Sequence, residues 1–184
     1  MQLKCGMANW WHLVEKFHHQ KAIALYAPQG IAISLTVSYL LATGTSVLAK
    51  PASYPAIFQD VTLSPNFAPD PQTVRGIGGG SVLMKTISQT DTTPTGACIG
   101  FVDKYPDHEV VLNSFFNYLK IEVQSLEDTT ILIKGPGGTW CNDDYQGKNP
   151  GVAGQWLQGN YQIWVGSYKQ EEYYPYVIRF TEKP

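Results

Sequence analysis

From Phe116 to Gln124 the chain reads F-N-Y-L-K-I-E-V-Q, and Leu119, Ile121 and Val123 alternate there with Lys120 and Glu122. A two-residue period places successive side chains on opposite faces of a strand, so the three apolar residues are expected inside and Lys120 and Glu122 in water. Segments of the same kind recur at residues 81–88, 99–102, 109–113, 130–134, 154–157, 161–167 and 176–181, each bounded by Gly, Pro, Asn or Asp clusters. No window beyond residue 50 carries a long apolar stripe of helical period. Eight short strands at this spacing predict an all-β chain folded as an antiparallel β-sandwich.

The glycines mark expected corners. Gly76, Gly78, Gly79 and Gly80 superficially resemble a phosphate loop, but neither Lys-Ser/Thr nor a helical pattern follows, so a bend or bulge between strands is expected instead. Residues 134–138, Lys-Gly-Pro-Gly-Gly, have hairpin-turn chemistry.

The first fifty residues are different. Lys4, Lys16 and Lys21 precede an uncharged run over residues 31–49 that ends Val47-Leu48-Ala49, small or β-branched residues of the kind a signal peptidase reads. This reads as a helical secretory signal with a long basic lead, residues 1–49, cut after Ala49. A run of about nineteen residues is also long enough to span a bilayer as an uncleaved anchor, although its seven Ser, Thr and Gly residues make it polar for a permanent span. Residues 10–25 suit an amphipathic helix, and Met7 is an alternative start. Export by this route leads to periplasm, thylakoid lumen or exterior, and after cleavage no membrane partner is expected. A proline-rich lead-in, residues 50–72, carries Pro51, Pro55, Pro65, Pro69 and Pro71.

Cleavage would leave 135 of the 184 residues, with fourteen acidic and ten basic side chains, net -4. That is enough chain to bury roughly two thirds of its unfolded surface in one core, and it offers no basic patch for nucleic acid. His108, Cys98 and Cys141 are the histidine and cysteines that stay. Two cysteines in an exported domain read as a disulfide. Closing this loop is worth about 4 kcal/mol in the chain-entropy model. The competing reading pairs a free thiol with His108 as a nucleophile.

Residues 139–151, T-W-C-N-D-D-Y-Q-G-K-N-P-G, hold the densest polar cluster. Adjacent carboxylates repel unless solvated or bridged by a cation, and Asn supplies a further hard oxygen. Asn142, Asp143, Asp144 and Asn149 are candidate calcium ligands, joined by Asp128 or Glu127 from the preceding hairpin. The alternative is an Asx-turn in which the same side chains cap backbone amides. The spacing is not that of an EF-hand.

The segment 128–168 resembles the bacterial pre-peptidase C-terminal domain. Asn142-Asp143-Asp144 matches that family's turn, and residues 159–166, G-N-Y-Q-I-W-V-G, match its last strand. The T-W-C-N-D-D variant, with residues 67–71 and 74–79, is similar to a group of small exported proteins frequent in cyanobacteria. The likeness covers roughly residues 58–182, and the domain assigned on it runs from 58 to 184. It implies a jelly-roll-like sandwich that accompanies secreted proteases, sometimes binds calcium, and in collagen-binding relatives grips a substrate without cutting it. No protease domain accompanies it here.

Catalysis finds little support in the sequence. A Ser-His-Asp site would have to use His108, and no Gly-x-Ser-x-Gly elbow is present. Asp143 and Asp144, adjacent on one loop, do not give the separation across a sugar that a glycosidase needs, even with Glu171 or Glu172 as partner. A cryptic hydrolase using His108 or the Asp143/Asp144 loop is the alternative to the preferred reading, a non-catalytic exported module that binds an extracellular protein or polysaccharide. Trp164, Tyr168, Tyr173, Tyr174 and Tyr176 are its candidate ligand-binding aromatics. Trp164 alternates with Ile163 and Val165 and so is expected on an outer face, where a ring stacks on a sugar or grips a peptide.

Overall fold

A computed structural model describes residues 56–183. The signal segment 1–49, the helix expected over residues 10–25 and the first residues of the proline-rich lead-in lie outside them. Thirteen strands and one short helix follow in order: β1 Val61–Leu63, β2 Gln72–Gly79, β3 Val82–Leu83, α1 Met84–Ser88, β4 Thr92–Thr93, β5 Gly96–Ala97, β6 Phe101–Val102, β7 His108–Leu112, β8 Phe116–Gln124, β9 Thr129–Gly135, β10 Gly138–Asn142, β11 Gly151–Trp156, β12 Gly159–Ser167 and β13 Tyr173–Thr181.

Two sheets face each other. The smaller runs β11-β8-β13-β2; the larger centres on β12, with β9 and then β10 on one edge, and β7, β1 and further along β6 and β3 on the other. Pairing is antiparallel except for β1, which lies parallel to β7. The strand periodicity explains the core: Leu119, Ile121 and Val123 of β8 meet Ile131 and Ile133 of β9, Ile163 and Val165 of β12, and Ile178 and Phe180 of β13. Burial of such side chains contributes roughly 1.5–3 kcal/mol each.

The expected β-sandwich is therefore present, with local corrections. Residues 81–88 do not form one strand: β3 ends at Leu83 and α1 begins at Met84. Met84 and Ile87, three apart, turn toward one face, and Gln89 closes the turn with a left-handed backbone and an N–H to the Lys85 carbonyl. Gly76, Gly78 and Gly79 lie within β2, paired along β13, rather than in a bend. A methyl group on Gly78 would sit 2.7 Å from the Val165 carbonyl oxygen of the facing sheet, so Gly78 lets the sheets approach, and one on Gly76 would collide with the ring of its cross-strand partner Tyr176. Glu122 is buried, not solvated. It lies beside Arg179 and Gly151 in register and forms an ion pair with Lys120 at 3.1 Å. The 134–138 turn closes the β9–β10 hairpin as expected.

A second, smaller core covers the outer face of the larger sheet. Met84 and Ile87 of α1 pack there with Cys98, Val102, Leu132, Cys141 and Trp164. The Cys98–Cys141 disulfide fastens the β4–β5 hairpin region to β10, closing a 43-residue separation. Thr93 and Thr95 hydroxyls add hydrogen bonds to the Cys141 carbonyl at 3.3 and 2.9 Å.

Candidate functional site: the loop end of the sandwich

Three connections meet at one end of the molecule. They are the β8–β9 turn, the β10–β11 loop and the β12–β13 turn. The Ser125 amide donates to Asn149 Oδ1 at 3.0 Å, and the Thr129 amide donates to the Lys148 carbonyl. The Tyr168 amide donates to the Asp128 carbonyl, and Ser125 Oγ donates to the Pro175 carbonyl. These bonds tie the three connections to one another. Asn142 Oδ1 accepts from the Gly151 amide at 3.0 Å, and its Nδ2 donates to the Thr95 carbonyl at 2.8 Å. The two asparagines thus act as backbone caps, the Asx alternative raised from the sequence.

The acidic residues remain. Asp143 has its pKa raised by partial burial first, then by the negative charges of Asp144 and Asp128. With Glu127, Glu171 and Glu172 on the adjoining turns, the end carries a concentration of negative charge against Lys148 and Lys169, the latter 3.7 Å from Glu172. Calcium takes six to eight oxygens. Among the described residues no group of three or more His, Cys, Asp and Glu side chains converges on one point, and the Asn142 and Asn149 oxygens already accept.

The candidate aromatics divide. Tyr168 and Tyr173, which flank the β12–β13 turn, are exposed, as are Leu126 in the β8–β9 turn and Tyr145 in the β10–β11 loop. Tyr174 is half-buried and donates to Glu172, a bond that pushes its pKa up to about 12. Trp164 and Tyr176 are buried and offer no ring to a ligand. The parity argument for Trp164 was right: it leaves the inter-sheet core, as expected of a residue flanked by Ile163 and Val165. What the alternation does not contain is the α1 turn and Cys98, which lie over that outer face. The Met84-x-x-Ile87 spacing is the trace it leaves in the sequence, too short to establish a period.

Tyr176 belongs instead to a buried polar cluster that the sequence reading missed. His108 Nδ1 lies 2.7 Å from the Gln59 carbonyl and Nε2 lies 2.8 Å from Tyr176 Oη. A carbonyl only accepts, so Nδ1 carries the proton and Nε2 accepts from the tyrosine. Burial lowers the His108 pKa, the opposite pull coming from Gln59 and Asp60. Beside it, Asp107 Oδ2 accepts from the Val165 amide at 2.7 Å. The β7–β12 ladder runs only to the His108–Ile163 pair, so the carboxyl of Asp107 stands in for a strand partner. Its pKa rises to about 8, from burial above all, with the Val165 amide pulling down and Asp103 pushing further up. Burial and the Asp107 charge likewise raise the Tyr176 pKa. His108 is fully buried with both ring nitrogens engaged, and among the described residues no serine or cysteine is bonded to it. Cys98 and Cys141 are joined to each other, which removes the free thiol of the nucleophile reading.

No family model matches the chain. An uncharacterized protein of Synechococcus elongatus is 31% identical over 86 residues, 45% of this chain; the chain spans 63% of that relative's length. Among solved structures, a pre-peptidase C-terminal domain of a collagenase from Bacillus anthracis is similar with a TM-score of 0.38 and 12% identity, covering 71% of this chain and 100% of that one. A periplasmic inhibitor of g-type lysozyme, PliG of Aeromonas hydrophila, is similar with a TM-score of 0.34 and 14% identity, covering 67% of this chain and 96% of the inhibitor. At such identities only the fold is compared, and function must be argued from the site.

Proposed function

We propose that this protein is an exported, non-catalytic binding module that holds an extracellular protein or polysaccharide through the loop end of its sandwich. The observation that carries the reading is the pairing, at that end, of exposed rings with loops held in place by cross-loop hydrogen bonds. Tyr168 and Tyr173 are about half exposed, at 55% and 50%, and Leu126 is 89% exposed. Rings presented on braced loops lose little freedom on contact, which is the economy that makes tyrosine effective in recognition. By contrast, the one histidine in the domain is enclosed and serves the fold, which argues against His108 as a base for hydrolysis. Export rests on the signal-like residues 1–49.

The test is retention of the purified protein on extracellular polysaccharide and on envelope protein fractions, compared with a Tyr168→Ala/Tyr173→Ala double variant. Binding that the double variant loses, with unchanged melting, supports the module. Retention on neither fraction, or equal retention by both proteins, refutes it.

Calcium enters this reading as a screening cation for Asp128, Asp143 and Asp144 rather than as a caged ion. Millimolar calcium is expected to raise Tm over chelator, and the Asp143→Asn/Asp144→Asn variant to lose that response. An unchanged response in the variant would place the ion elsewhere.

A further inference from the structure

The outward face of the smaller sheet holds a pocket of about 280 Å³ lined by Arg75, Gln124, Ser125, Leu126, Pro175 and Val177. Register explains its layout. Val177 of β13 is paired with Arg75 of β2 on one side and with Gln124 of β8 on the other. Val74, Val123 and Ile178, their chain neighbours, are all buried in the core, so these three side chains point the other way. They form a row across three strands in which Val177, the apolar floor, stands between Arg75 and Gln124, with the strands about 4.8 Å apart along the sheet. Pro175 extends the floor, and Leu126 stands at the lip almost fully exposed. Among the described residues Arg75 has no ion-pair partner; the ion pairs there are Lys85–Asp91, Lys120–Glu122 and Lys169–Glu172.

We infer that this pocket binds the C-terminal carboxylate of a peptide or protein chain ending in an apolar residue, the carboxylate on Arg75 and the last side chain over Val177, Pro175 and Leu126. The inference deepens the binding-module reading and rests on it. Charge complementarity identifies the anion: the guanidinium fork matches a carboxylate with two parallel hydrogen bonds. Spacing identifies the rest. A chain terminus presents a carboxylate and a side chain from the same Cα, which suits a cation and an apolar floor one strand apart. The Gln124 amide faces the opposite side of that floor, where it can donate to the preceding peptide carbonyl. The volume lies below the usual range for drug-sized ligands, about 300–1,000 Å³, and fits one or two residues.

The experiment is an amide NMR titration of the purified protein with N-acetyl-L-leucine, with N-acetyl-L-leucinamide as the neutral control and glucuronate as a carboxylate on a polar ring. Saturable shifts at residues 75, 124–126, 176 and 177 are expected with the acid. Binding should weaken at least about tenfold with the amide and with Arg75→Gln, as the loss of a charge-assisted hydrogen bond implies. Arg75→Lys, which keeps the charge without the fork, should fall between. The spectrum of each variant reports its folding directly. Equal binding of acid and amide, equal binding by Arg75→Gln, or no saturable shift at these residues would overturn the inference, and glucuronate binding as tightly as the acid would hand the pocket to acidic sugars. In those cases, capture that depends on Tyr168 and Tyr173 would still stand as the module's own test.

Discussion

Replacing Trp164 separates a ligand-stacking ring from a structural one. The side chain is 4% exposed and packed with Met84, Cys98, Leu132 and Cys141. A tryptophan buries on the order of 150–250 Å², which at about 25 cal/mol per Å² is roughly 4–6 kcal/mol of transfer free energy. Partial collapse of α1 into the space would recover some of it, so Trp164→Ala is expected to cost about 3–5 kcal/mol. For a domain of this size that is a fall in Tm on the order of 10–20 °C. Trp164→Phe should cost well under half as much. It keeps most of the apolar area and removes an indole N–H that is buried without a hydrogen-bond partner among the described residues. Chemical denaturation followed by far-UV circular dichroism measures both. If Trp164→Ala unfolded at the wild-type midpoint, the second core would not exist as described and the ring would be free to serve a ligand.

Three further outcomes are expected. Cys98→Ser, or reduction of the native protein, should lower stability by about 4 kcal/mol in the chain-entropy model; an unchanged midpoint under reductant would mean that the hairpin region is held by Thr93 and Thr95 alone. Asp107 binds its proton up to about pH 8 in the folded state against a usual value of 3.8, so its contribution is complete below pH 4 and is lost as pH rises through 8. His108, with its pKa lowered from 6.5, acts in the opposite sense, contributing above that value and losing the contribution as pH falls. Stability should therefore fall between pH 6.5 and 8, where Asp107 alone titrates of the two, and Asp107→Asn should flatten that slope; a slope kept in the variant would assign it to other groups. Gly78→Ala should cost about 1–3 kcal/mol by overpacking against the Val165 backbone, and a neutral result in thermal melts would show that β2 can move away from β12.

The residues that alternate were sufficient to specify the sandwich. Over Phe116–Gln124, and in β9, β12 and β13, period two marks which face is apolar, and a face that must be buried leaves little choice of layer. The disulfide was legible for a simpler reason, since Cys98 and Cys141 are the two of the three cysteines that lie beyond the signal-like residues 1–49. Glycines and short elements were less legible. Gly76 and Gly78 have the same local chemistry in a bend as in a strand, and only the approach of Tyr176 and Val165 decides between them. The five residues of α1 are too few to show a helical period.

By itself, then, the sequence determined the alternation of faces, the expected pairing of Cys98 with Cys141 and the polar loop that follows Trp140, because each depends on neighbours in the chain or on the two cysteines of the strand-forming region. Tertiary structure decided what covers an outward face, which of two adjacent polar side chains is enclosed, and which side chains share a pocket. Trp164 is buried because α1 lies over it, His108 because Gln59 and Tyr176 close around it, and Arg75 meets Gln124 only through the strand between them. Such outcomes depend on residues tens of positions apart in the chain, and a local pattern carries no record of them.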